Sequence, residues 1–390
     1  MTGVHGSARH DRARNHGICL LGPDGNMKYL LEEIRHSPLL WLLVLVPVVL
    51  SIYALNPEAH TLLFLLSVAA IVPLAALLSR ATESVAAKAG DMIGGLLNAT
   101  LGNLTELLIA LTALHAGQYT LVKASIVGAI VTNALFMLGV SFLLGGFHHH
   151  VQEYNRNTAR LQAGLLFLAT IAILIPSMLA QSDATSTNPA FTHSLSVGLS
   201  ILLIIAYALG LVFSLKTHRE LFASVDHGEA GEPQWPFRLA LVTLAAVTVL
   251  VALVSEVFVE SVQQAAVTLG ITPAFVGVIV VALVGGAAEM VSAFSAARKN
   301  KLDLSVGIAL GSAAQIALFV APVLVLFSYA IGPAPMDLQF WPGAVAMTLI
   351  AAITASLVTN GGRSAWFLGA LIVTVYIIFG MTLYLLPPRT

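Results

Sequence analysis

Two acids stand where acids are costly. Glu106 and Glu289 each lie inside an uncharged run long enough to cross a bilayer. A charge at the bilayer centre costs at least about 2.5–3.5 kcal/mol on insertion scales, so an intramembrane carboxylate is a functional candidate by default. The bland alternative is a protonated glutamate bonded to a neighbouring helix, and it must hold twice. Ala99, Gly102 and Asn103 share a helical face with Glu106, and Ala282, Gly285 and Gly286 share one with Glu289. Glycines loosen a helix, and carbonyls freed by a break are tolerated in a membrane only where they line a cavity or bind an ion. The spans that follow offer more oxygens: Ser125, Thr132 and Asn133 after the first acid, Ser305, Ser312 and Gln315 after the second. Helix–helix hydrogen bonding explains these last six as well as direct ligation does. Two carboxylates among carbonyl, amide and hydroxyl oxygens, without Cys or His, suit Ca2+ better than a transition metal.

The two constellations are in register. Glu289 follows Glu106 by 183 residues, and the same step carries Gly102 to Gly285, Gly128 to Gly311 and Thr132 to Gln315. Upstream, Thr82-Glu83 pairs loosely with Ser255-Glu256. An ungapped match that includes a buried acid points to an internal repeat of the transporter kind.

The elements that must carry these residues follow from composition. Of 390 residues 58% are hydrophobic and 9% charged, against about 25% charged in a soluble domain. That excludes a soluble enzyme, a disordered chain and a nucleic-acid binder, and a net charge of -1 gives no pull toward polyanions. One cysteine, Cys19, excludes a disulfide framework or a thiolate cluster. The chain is therefore read as an all-α polytopic membrane protein with about eleven spans: 39–55, 61–79, 92–114, 120–145, 161–180, 193–215, 237–257, 272–297, 304–330, 339–358 and 364–386. Residues 1–27 read as a disordered leader and 28–58 as an amphipathic segment (28–36) plus the first span. The first repeat occupies 59–215, a linker 216–236 and the second repeat 237–390. Alternating the loops puts 16 Lys and Arg on the side of the N-terminus and 2, Lys123 and Arg389, on the other. The positive-inside rule makes the N-terminus cytoplasmic and the C-terminus external. Each repeat has five spans, an odd number, so the second copy enters from the opposite side and the repeat is inverted, with its site expected near the midplane.

Asn98-Ala-Thr-Leu-Gly-Asn-Leu-Thr-Glu106 with Lys123-Ala-Ser-Ile-Val-Gly128 resembles the first alpha-repeat of Ca2+/proton exchangers of the cation/Ca2+ exchanger superfamily. Val284-Gly-Gly-Ala-Ala-Glu289, with Asn300-Lys-Leu-Asp-Leu and Leu310-Gly-Ser-Ala-Ala-Gln-Ile, resembles the second. The likeness covers essentially the chain after Met27. It implies alternating-access exchange of cytosolic Ca2+ for protons in a bilayer, here a bacterial inner membrane, with no cofactor beyond the transported ions. Carried over by position, Glu106 and Glu289 are the ion-binding acids and Ala99 and Ala282 give backbone carbonyls; Asn103, Ser312 and Gln315 complete the set. Two positions depart from the family pattern: Gly286 stands where Asn is usual, and Ala129 where Ser is usual. One polar group is missing from each half, which bears on affinity and selectivity.

Glu83, Glu256, Asn98 and Asn133 are candidate gate or proton-relay residues, and an interfacial position explains the two acids equally well. The acidic linker (Glu220, Asp226, Glu229, Glu232) reads as a solvated connection, and His148-His149-His150 as a polar loop. The rival readings are Na+/Ca2+ or broader Na+(K+)/H+ antiport on the same fold, a passive cation channel, and an intramembrane enzyme. One acid per repeat argues against the channel. The absence of His-Glu-x-x-His, Gly-x-Ser-Gly and P-loop motifs argues against an enzyme or an ATP-driven pump.

Overall fold

The computed structural model describes residues 37–179, 189–218 and 235–385. The leader 1–27, the amphipathic stretch 28–36, Asp183, the acidic part of the linker and Arg389 lie outside them. Apart from one pair of three-residue strands, every regular element described is helical. Nine helices are long and apolar enough to cross a membrane: α1 (Pro38–Leu55), α2 (His60–Lys88), α5 (Tyr119–His149), α6 (Arg156–Leu179), α7 (Ala190–Thr217), α8 (Phe237–Leu269), α11 (Leu302–Ile331), α12 (Pro342–Thr359) and α13 (Trp366–Leu385). A tenth crossing is a pair bent by 60°, α9 (Pro273–Gly285) and α10 (Ala287–Arg298). The span read over 92–114 is two short helices, α3 (Asp91–Leu101) and α4 (Leu104–His115).

Three features differ from the sequence reading. The third and eighth spans are not continuous: one breaks at Gly102–Asn103, the other at Gly286, and Asn103 and Gly286 are again 183 residues apart. The second and seventh spans overrun their apolar cores. At 29 and 33 residues, α2 and α8 are about 44 and 50 Å long, too long for a hydrocarbon layer of about 30 Å unless they tilt. They pack along one another, with Phe64 stacked on Phe258 at 5.6 Å. Glu83, Glu256 and Glu260 consequently sit within helices, not after them. Third, α5 and α11 change to π-helix over Thr132–Met137 and Ile316–Val320, a distortion frequent at functional sites.

α5 and α11 are the inner helices, with 83% and 72% of their most apolar windows buried, against 17% for the outer α1 and α7. Where α5 crosses α9, a Cβ on Gly128 would stand within 2.7 Å of the Val278 backbone, and Gly277 is pressed onto Ala124. Only glycines allow two helix backbones to approach so closely.

The two ends are closed differently. At one end the connection from α11 to α12, residues 332–341, runs extended. Ala334, Met336, Leu338 and Phe340 donate their amides to Tyr119 Oη, Ser328 Oγ, Ser196 Oγ and Ser177 Oγ at 2.8–3.0 Å. Met336, Leu338 and Phe340 are buried. Lys123 Nζ reaches Asp337 Oδ1 at 2.6 Å and the Gln339 carbonyl at 2.8 Å. At the other end β1 (Val151–Glu153) pairs antiparallel with β2 (Arg363–Ala365), with an exposed Arg363–Glu153 ion pair. This end carries every described Lys and Arg except Lys123.

Candidate functional site

Glu106 is the third residue of α4 and Glu289 the third of α10, each in the first turn after a break. A helix N-terminus is the positive end of its dipole, so both breaks aim a favourable field at a carboxylate. The break that exposes those N–H groups is also what lets a membrane helix present them. Glu106 packs on the opposite break: a Cβ on Gly285 would lie 2.9 Å from Glu106 Cγ and 3.4 Å from its Oε1. Glu106 is close enough to act electrostatically on Glu289, whose carboxylate accepts a hydrogen bond from Ser312.

Glu289 borders a cavity of about 970 Å³ that opens at the Lys- and Arg-rich end. Its inner part is lined by Asn98, Gly102, Glu289, Ser312 and Gln315, and its mouth by Glu83, Asn155 and Asp303. Glu83 accepts a hydrogen bond from Ser79, 3.1 Å away. A smaller recess of about 350 Å³ continues between the end of α2 and α3, past Glu83, Gly94 and Asn98. Gln315 comes close to the first break, with its Oε1 3.7 Å from the place of a Cβ on Gly102. The site therefore draws on both repeats at each break.

Polar atoms buried without a partner collect here. Among the described residues both amide ends of Asn103, Asn133 Nδ2, Glu289 Oε2 and Ser305 Oγ are buried and unpaired. Asn103 is the residue just before α4, where asparagine is a favoured cap, yet it makes no capping bond. A buried unmade hydrogen bond costs about 1–3 kcal/mol, and a hard cation that gathers oxygens would relieve part of that cost.

The other expected residues are placed as follows. Ala282 lies in α9, and its carbonyl accepts the Gly286 amide at 3.1 Å, so the break leaves it partly engaged, not bare. Ala99 lies in α3, one turn before Gly102. Ser125 bonds back to the Val122 carbonyl of its own helix. Thr132 is paired with Tyr376 Oη at 3.2 Å. Glu256 is not brought to the cavity. It is exposed on α8, one turn from Glu260, which accepts a 2.6 Å hydrogen bond from Tyr53 of α1. His149 bonds the Arg298 carbonyl at 2.9 Å, which ties the histidine run to α10. Gln162 of α6 was not anticipated. It lines the cavity with its Nε2 3.4 Å from the Gly307 carbonyl, and its signal was a lone amide in an apolar span.

The model of the sodium/calcium exchanger protein family matches residues 59–216 and 239–385. Over 362 residues the chain is 38% identical to a Ca(2+)/H(+) antiporter of Aphanothece halophytica, covering 89% of this chain and 96% of that one. It is 41% identical over 331 residues to the Ca(2+)/H(+) antiporter ChaA of Bacillus subtilis (strain 168), covering 83% and 92%. The solved structure of native YfkE superposes with a TM-score of 0.76 at 36% identity, over 88% of this chain and all of that one. Broken helices that each present an acid, and a family match on both sides of the linker, lead to one statement: the chain belongs to the sodium/calcium exchanger protein family.

Proposed function

We propose that the protein is a secondary Ca2+/H+ antiporter that exports cytosolic Ca2+ in exchange for protons, with Glu106 and Glu289 as a shared site for both ions. The observation that carries this reading is the meeting of the two acids at paired helix breaks, one of them at the inner end of an open cavity. The names of the relatives support the ions. Two ionised carboxylates cannot cross a low-dielectric barrier uncompensated. One Ca2+ or a pair of protons neutralises them, so the loaded carrier and the protonated carrier can change conformation while the bare one is held back. Asn103, Ser312, Gln315 and the carbonyls near Ala99 and Ala282 supply the neutral oxygens that replace water around Ca2+. Glu83 and Asn98 lie on the way in and serve as gate or relay. Glu256 is the corresponding group for the opposite opening. The repeats are inverted, the cavity faces the cytoplasm of a bacterial inner membrane, and the N-terminus lies on that side. The protein works as a carrier and catalyses no bond-making step.

Proteoliposomes test this. Vesicles that are acid inside should accumulate external Ca2+ without Na+, and the apparent Ca2+ affinity should fall as the pH on the Ca2+ side drops. Uptake that requires a Na+ gradient and ignores the pH gradient overturns the proton coupling. An affinity flat from about pH 5 to 8 overturns competition for a shared site.

A further inference from the structure

The two breaks are not supplied with the same side chains. The first break carries Asn103; the equivalent position of the second is Gly286. On the following inner helices Asn133 of α5 corresponds to Ile316 of α11. The first repeat thus holds both asparagines and the second holds neither.

Gly286 is not a glycine that its backbone requires. Its φ of -80° and ψ of 6° suit any residue. A Cβ there would meet the Ala282 carbonyl at 3.2 Å, Met290 Cε at 3.4 Å and Asn133 Oδ1 at 3.5 Å. The space that a side chain at 286 would enter is bordered by the amide of Asn133, reaching over from the other repeat. Asn133 is 1% exposed and its Nδ2 has no partner among the described residues. An asparagine kept for helix packing would be paired, because a buried unpaired amide is costly. The π-helical turn over Thr132–Met137 begins one residue before Asn133, and such a turn offsets the side chains that follow from an α-helical register.

On the reading of this site as a Ca2+ carrier, we infer that Asn133 is a Ca2+ ligand that occupies, from the first repeat, the amide position left vacant by Gly286 at the second break. The side-chain amide of the second half is displaced in sequence but kept in space. The site then has a lopsided donor set: Glu106, Asn103 and Asn133 from the first repeat, Glu289, Ser312 and Gln315 from the second. This assigns Asn133 to ion affinity instead of to the gate.

The experiment is direct Ca2+ binding to the purified full-length protein by calorimetry, alongside Ca2+ flux in proteoliposomes. Asn133→Leu keeps the shape and removes the oxygen, so it should weaken Ca2+ binding by about tenfold or more. Asn133→Asp keeps an oxygen at Oδ1 and should bind Ca2+ at least as well as the native protein. A purely packing role would not rank aspartate above leucine at a buried position. Asn133→Ala should also weaken binding, and adding Gly286→Asn should restore it to within about threefold of the native value, because the new amide enters the space that Asn133 vacates. Native affinity in folded Asn133→Leu, or a double variant no better than Asn133→Ala, overturns the inference. Should Asn133→Leu or Asn133→Ala fail to fold, Asn133→Asp decides: affinity lowered by about tenfold overturns the ligand role. Glu289→Gln separates the two levels. If it leaves Ca2+ binding intact, the carrier reading of the site falls and this assignment with it. If it abolishes binding while Asn133→Leu does not weaken it, only the assignment to Asn133 falls.

Discussion

Two crossings in this molecule are related by the same 183-residue step, and they look nothing alike. Gly128 of α5 and Gly277 of α9 meet with their backbones in contact. Their counterparts are Gly311 of α11 and Gly94 of α3. These do not meet: Gly311 faces Gln162 at the cavity wall, and Gly94 lies against the Ala86 carbonyl of α2. The cavity occupies the gap that a contact would fill. Equivalent sequences thus hold a closed and an open crossing at once, so closure is a choice between arrangements and not a property of either motif. A carrier that alternates needs two crossings of similar worth, and a packed interface that is either made or unmade behaves as a switch.

The acids lie where both crossings converge, and the largest effect is expected there. Glu106→Gln and Glu289→Gln should each abolish Ca2+ flux while leaving a folded, monodisperse protein, because a divalent ion in a low-dielectric site needs its countercharge. Wild-type flux in either variant breaks the link between the repeats.

The glycines separate the two crossings. Gly128→Val drives a side chain into the Val278 backbone and should lower stability by about 3 kcal/mol or prevent folding, which thermal unfolding in detergent would record. At Gly311 a Cβ would stand 3.1 Å from Gln162 Nε2, the movable end of a long side chain. Gly311→Ala should therefore unfold at the native temperature yet slow Ca2+ turnover, because the opposite closure must bring α11 against α3. Native turnover in Gly311→Ala would show that this crossing never closes.

Accessibility sharpens the same contrast. With Cys19, the only cysteine, replaced, Gly307→Cys in the cavity wall should react with a membrane-impermeant thiol reagent from the Lys- and Arg-rich side alone. Ser125→Cys, beside the closed crossing, should resist from both sides. Equal labelling of the two would mean that the cavity is not a one-sided vestibule.

The smallest effects concern the ends. Lys123 and Asp337 are only 18% and 25% exposed, so Lys123→Met should cost about 1–2 kcal/mol. Arg363 and Glu153 are 72% and 69% exposed, and Arg363→Met should cost at most about 0.5 kcal/mol. Thermal unfolding of the pair would rank them.

Much of this was legible beforehand, for identifiable reasons. Isolated acids in apolar runs and an ungapped repeat gave the pairing of Glu106 with Glu289, and glycines beside each acid signalled the breaks. The overrun of α2 and α8 was not legible, because hydropathy stops at Arg80 and Glu256 while the helical backbone continues on tertiary support. The π turns leave no trace in periodicity over so short a stretch. Gln162 and Asn133 gained their meaning from neighbours far away in the chain. The open and closed crossings could not be read at all, since near-equivalent sequences adopt both.

The connection from α11 to α12 carries one further consequence. Its alternate residues point into the protein as those of a β-strand do, although serine and tyrosine hydroxyls take the place of a partner strand. Such a segment has a register. Inserting a single residue between Ala334 and Phe340 would exchange its inward and outward faces, putting Asp337 or Gln339 where Leu338 is buried and presenting carbonyls to the hydroxyls that now receive amides. A loop is ordinarily where a protein tolerates changes in length; here a two-residue insertion should be easier to accommodate than a one-residue insertion.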